Sequence, residues 1–132
     1  MKMNEKYLNG TGKGEFVYDA DHDILLFKLK DRDYKMSTEF QNFVADIDEE
    51  GFVTGIRIFD TSKVFDVGKD ILRNITRWEF KASVENNTLT ITFRFISKGQ
   101  DLEIPIEKFT QQMSTPLNGH HLADSSVECA VV

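Results

Sequence analysis

Residues 16–63 read FVYDADHDILLFKLKDRDYKMSTEFQNFVADIDEEGFVTGIRIFDTSK, and this stretch decides the fold. Phe16 and Tyr18 alternate with Val17 and Asp19, and the Asp19–Asp23 cluster turns the chain. Ile24-Leu25-Leu26-Phe27 is apolar in consecutive positions, which predicts a central strand covered on both faces. Asp31-Arg32-Asp33 marks the next turn. From Phe43 to Phe59 the period is two. An even-length loop at Glu50-Gly51 sets Phe43, Ala45 and Ile47 on one face with Ile56 and Ile58. Val44, Asp46, Asp48, Gly55 and Arg57 then share the other. An odd loop would mix charge and apolar groups on both faces, at greater cost.

Downstream, Asp60-Thr61-Ser62 supplies N-cap candidates for a short helix within residues 62–73, which Gly68 interrupts. The sharpest hairpin follows. Trp78, Phe80, Ala82 and Val84 alternate before Asn86-Asn87, and Leu89, Ile91, Phe93 and Phe95 alternate after it. Asn tolerates positive φ and suits a two-residue turn. That turn pairs Val84 with Leu89, Ala82 with Ile91, Phe80 with Phe93, and Trp78 with Phe95, and sets Glu79 opposite Arg94. Leu102, Ile104 and Ile106 predict a further strand, and Pro105 assigns it to a sheet edge.

These signals predict an α+β fold, mainly antiparallel sheet with one short helix. Strands are expected near 15–19, 24–30, 35–41, 43–48, 52–59, 76–85, 88–96 and 101–107. Residues 15–109 form the β-rich domain in this reading. Residues 1–14, with Gly10, Gly12 and Gly14, read as a flexible arm, and residues 110–132, without apolar period, as a disordered tail.

The chain has 132 residues, with 16 Lys and Arg against 22 Asp and Glu, for a net charge of −6. That balance disfavours nucleic acid and anionic membrane surfaces, which need a basic face. No apolar run approaches the ~20 residues of a membrane span, and the first fifteen residues resemble no signal peptide, so a cytoplasmic location is expected. One cysteine, Cys129, excludes an internal disulfide and a cysteine zinc cage.

The acidic turns are the candidates for chemistry. Asp19, Asp21, His22 and Asp23, with Asp46 and Asp48, offer oxygens of the kind hard cations take. Asp46-x-Asp48-x-Glu50-Gly51 is not an EF-hand loop, because its twelfth position is Arg57. Acids at hairpin tips are more often solvated turn formers. Gly10-x-Gly12-x-Gly14 precedes a strand, whereas a dinucleotide loop follows one. No nucleophile elbow is present, and His120-His121 and Cys129 fall in the expected tail. Hence no catalytic residue and no cofactor are expected. Trp78, Phe80, Phe93 and Phe95 are most simply core; on an open sheet they become an interface for a second copy or another protein.

Tyr18-Asp19, Asp23 with Leu25 and Phe27, Asp46, Asp48, Gly51, and Gly55-Ile56 through Asp60 and Ser62 also carry a resemblance. Over residues 16–63 the chain resembles a prokaryotic domain-of-unknown-function family, number 2283. Arg57 departs from it, since an acid is usual there, and family members are often little longer than the matched region. The resemblance implies a compact β unit with a helix, able to self-associate, with no established activity. Some members look like partners of small toxin-like proteins. The expected function is therefore protein binding, by self-association or as a regulatory or antitoxin-like partner. The competing expectation is a divalent-metal-dependent binder or enzyme using the acidic turns.

Overall fold

A computed structural model describes residues 6–86, 88–97, 107–116 and 124–131, with backbone alone for 107–116. Ten strands and two short helices follow in order. They are β1 (Lys6–Asn9), β2 (Gly14–Asp19), β3 (Ile24–Leu29), β4 (Tyr34–Glu39), β5 (Phe43–Asp48), β6 (Val53–Ile58), α1 (Thr61–Phe65), α2 (Lys69–Arg73), β7 (Ile75–Glu85), β8 (Thr88–Ser97), β9 (Glu107–Pro116) and β10 (Ser125–Val131). They form two five-stranded sheets. The first has the order β2-β3-β6-β5-β4, and the second β1-β10-β7-β8-β9. All pairings are antiparallel except β1 with β10.

Alternation explains the first sheet. Phe43 pairs with Ile58 and Ala45 with Ile56, leaving Val44, Asp46, Gly55 and Arg57 on the other face, as expected. The loop itself corrects the expected even length: Asp48 N–H donates to the Phe52 carbonyl across Glu49, Glu50 and Gly51, an odd loop, and a bulge restores the faces beyond it. The register then shifts, so that Ile47 meets Val53 and Thr54 is the extra residue of a bulge. Gly51, at φ 91°, closes the turn in a conformation that a side chain would disfavour.

The β7–β8 hairpin has the expected register, Val84 with Leu89 through Trp78 with Phe95, and Glu79 faces Arg94. Asn86 takes the positive φ the turn requires, at 52°. The helical segment breaks between Phe65 and Lys69, giving α1 and α2 in place of one helix. Both carry the chain from the first sheet to the second, and their Phe65 and Leu72 are buried.

The inner faces meet through aromatic rings. Phe16 stacks on Trp78 with centroids 4.6 Å apart, Phe27 lies 4.2 Å from Phe80, and Phe65 lies 5.7 Å from Phe93. Trp78, Phe80, Phe93 and Phe95 are buried in this core. The chain's own first sheet covers them, which corrects their expected availability to a partner.

Two boundary expectations also change. Residues 6–9, expected in a flexible arm, form β1 and pair with β10. Residues 110–116 and 125–131, expected in a tail, lie in β9 and β10, and β10 lies between β1 and β7. The reason is that β10 completes its pairing with strands far away in sequence, so nothing nearby announces it. Its alternation, Ser125, Val127 and Cys129 inward, uses small residues that make a weak pattern. The strand expected at 101–107, with Pro105, lies outside the described residues apart from Glu107, as does His120-His121.

Candidate functional site

The β2–β3 turn and the start of α1 meet at Asp23, which sits at φ 56° and is buried. Its carboxylate accepts from the Tyr18 hydroxyl at 2.6 Å, the Ser62 amide at 3.0 Å and the Ser62 hydroxyl at 2.6 Å. Asp60, the residue preceding α1, makes no side-chain cap bond. The helix is therefore capped by a residue 39 positions earlier. Beside it Thr61, fully buried, accepts from the Leu25 amide at 3.1 Å, and its hydroxyl lies 2.9 Å from the Ile58 carbonyl it can donate to. Burial acts to raise the Asp23 pKa, but the Ser62 and Tyr18 hydrogen bonds outweigh it and hold the carboxyl below its ordinary value. Burial, with the bond to Asp23, pushes the Tyr18 phenol up.

Such a carboxylate stabilises the fold while it is ionised. That contribution is present above the unfolded-state carboxyl pKa and is lost as pH falls through the depressed folded value. Asp23→Ala should cost about 3 kcal/mol at neutral pH, through lost charge-assisted bonds and a left-handed alanine. Asp23→Asn should cost less, and should flatten the acid limb of stability. Urea midpoints of the three proteins at pH 7 and pH 3 check both statements.

Asp19 and His22 remain on the exposed side of the same turn. Asp19 accepts from the amides of Asp21 and His22, and its second oxygen lies 2.7 Å from His22 Nδ1. The contact with His22 lowers the Asp19 pKa. Asp21 is exposed beside them.

Asp46 and Asp48 lie toward the opposite end of β5. Asp48 accepts from the amides of Glu50 and Phe52, closing the β5–β6 turn, and from Arg32 at 2.6 Å. Arg32 lies 5.4 Å above the Phe52 ring. Asp46 accepts from Ser37 at 2.7 Å and from Arg57 at 3.0 Å. A side chain at position 55 would press on Asp46 and the Phe27 carbonyl, so Gly55 keeps room for that carboxylate. A cleft of about 280 Å³ opens beside it, lined by Lys28, Arg32, Tyr34, Asp46 and Arg57 among others.

The structure thus brings Asp23 together with Tyr18 and Ser62, and Asp46 together with Ser37 and Arg57. It does not bring the two acidic groups together. Among the described residues, no group of three or more His, Cys, Asp or Glu is placed to hold a metal ion.

A different surface stands out at β4, an edge of the first sheet. Tyr34 is 61% exposed and Met36 51%, two large apolar side chains on one edge strand. Phe40 N–H donates to the Phe43 carbonyl at 2.8 Å, so alternation turns the main-chain groups of Ser37 and Glu39 away from β5. The sequence does hint at this edge. Lys35, Ser37 and Glu39 alternate with Met36 and Thr38, which is too polar for a strand covered on both sides.

Residues 15–62 match the model of a family described as a protein of unknown function, DUF2283. An uncharacterized protein of Methanocaldococcus jannaschii is 28% identical over 104 residues, covering 78% of this chain and 90% of that protein. A protein of Methanosarcina mazei named putative hypoxanthine phosphoribosyltransferase is 28% identical over 80 residues, covering 61% of this chain and 65% of that protein. No solved structure matches the chain. The family segment coincides with the first sheet, from β2 through β6, and ends at Ser62, the partner of Asp23. The strands of the second sheet lie outside it.

Proposed function

We propose that this is a non-catalytic protein-binding unit that works through the free edge of β4. The observation that carries the reading is the pair of exposed apolar side chains, Tyr34 and Met36, on an edge strand that pairs with β5 on one side alone among the described residues. Natural sheet edges are usually blunted by charge, bulges or cover, because an open edge templates pairing with another chain. Strand addition uses such an edge for affinity and its alternate side chains for selection. Lys35 and the register shift between Tyr34 and Met36 restrain indiscriminate pairing without closing the edge. A regulatory or antitoxin-like role in the cytoplasm fits an acidic binder of this kind. Among the described residues no helix is long and apolar enough to cross a membrane.

Phosphoribosyl transfer is not carried over from the Methanosarcina protein's name. Open α/β folds bind nucleotides at the carboxyl ends of parallel strands. The described residues form two largely antiparallel sheets.

A photo-crosslinking amino acid at position 35, introduced in the native host, tests the reading. It should yield a covalent adduct with a protein, and Met36→Lys should abolish that adduct. No adduct at position 35, where the same group at half-buried Glu79 on the second sheet does yield one, would remove β4 as the binding edge.

A further inference from the structure

We infer that the occupant of the β4 edge is a second copy of this chain, joined antiparallel about a two-fold axis through Ser37; this rests on the reading of β4 as a binding edge. Two β4 strands that extend one sheet across such an axis must keep each face on its own side. Inner-face residues then oppose inner-face residues, which restricts the register to alternate steps. The outward main-chain groups of Ser37 and Glu39 add the same restriction, because only residues that point outward can exchange bonds across the new seam.

Charge selects among the allowed registers. With Ser37 opposite the partner's Ser37, Lys35, the extra residue of the bulge between Tyr34 and Met36, comes within reach of the partner's Glu39, and Glu39 within reach of the partner's Lys35. On the inner side, Met36 faces the partner's Thr38. A shift one step toward the strand start sets Glu39 against the partner's Asp33, two like charges. A shift the other way sets Lys35 against the partner's Gln41 and leaves it without a counter-charge. Only the axis through Ser37 gives two opposite-charge pairs, and directly opposed charges count most across a strand pair.

Three features support this register. Lys35 and Glu39 are exposed, and both lack an ion pair within the described chain. Ser37, at the axis, is held in place by its bond to Asp46. The two half-exposed Met36 side chains become diagonal neighbours across the axis, within reach of each other for long side chains. Main-chain bonds between the outward groups about Ser37 then join the two first sheets into one of ten strands.

Charge exchange tests the inference. Sedimentation equilibrium at low salt should show a dimer for the natural chain. Lys35→Glu or Glu39→Lys alone sets like charges opposite at both symmetric positions and should weaken the dimer about tenfold or more. The double variant, K35E with E39K, restores opposite pairs and should recover the natural affinity to within about threefold. All three variants alter exposed positions, so melting of the dilute monomer should stay unchanged. A natural chain that stays monomeric, or singles that dimerise as well as it does, would overturn the two-fold pairing. A monomer that still gives a position-35 adduct of another protein leaves the edge reading standing; a monomer with no adduct removes both.

Discussion

A chain ending at Pro116 should lose cooperative folding, because the segment it lacks supplies β10 to the middle of the second sheet. β10 pairs with β7 from Ser125 opposite Val84 to Val131 opposite Trp78, and β1 pairs only with β10 among the described strands. Truncation therefore removes two strands' worth of pairing. Val127 and Cys129 are buried in the core, and their loss exposes Ala82 and Phe80 beside them on β7. Burial of Val127 alone is worth about 1.5–3 kcal/mol. The unpaired main chain of β7 and the displaced β1 add to that loss, and the total approaches the about 5–15 kcal/mol that holds a typical domain.

The seam where the two sheets meet fails as well. A side chain at position 14 would fall 2.5 Å from Cys129 Sγ and 2.8 Å from Phe27, so Gly14 is a glycine because β10 packs against it. Calorimetry of the truncated chain should show no cooperative transition, and a peptide of residues 117–132 added in excess should restore one. A transition within a few degrees of the intact chain would return the segment to the status of a tail.

That contrast shows what a one-dimensional pattern can carry. The β7–β8 hairpin was legible pair by pair, because its partners are adjacent and its turn residues, Asn86-Asn87, have a local reason to be there. The faces of β5 and β6 were legible from their alternation, but the loop was not: it is odd where an even one is expected, and the bulge at Thr54 that offsets it leaves no mark in the residue pattern. The capping of α1 was not. Asp60 has the right chemistry in the right place, yet it adopts φ 52° and leaves the cap to Asp23. Only the folded first sheet brings those two turns together. β10 was hidden by the same non-local logic, and its pairing with β1 joins opposite ends of the chain.

The acidic residues divide along that line. Asp48 and Asp19 hold their own turns, as hairpin-tip acids do. Asp23 and Asp46 act across strands, on Ser62 and on Arg57. Arg57 is also where the chain departs from its family resemblance. Its position opposite Val44, next to Asp46, gives the departure a local explanation: the pair neutralises a carboxylate that the sheet buries.

Phe93→Ala should destabilise the chain by about 3–5 kcal/mol, the range for deleting a large aromatic from a packed core. The residue is fully buried, with the rings of Phe16, Phe65, Trp78 and Phe80 at centroid distances of 6.2, 5.7, 6.3 and 5.5 Å. Those neighbours come from β2, α1 and β7, so collapse of one element cannot refill the space. The cavity term should therefore add fully to the transfer term. Val17→Ala, at a half-exposed outer position of β2, should change stability by less than about 0.5 kcal/mol. Urea denaturation of both variants at two protein concentrations reads the result. A core aromatic lowers the midpoint equally at both concentrations, whereas an interface aromatic would lower it only where the natural chain is associated. Equal loss at both concentrations places Phe93 within the single chain and leaves association to the β4 edge, where Met36 and Lys35 are free to change it without unfolding the chain.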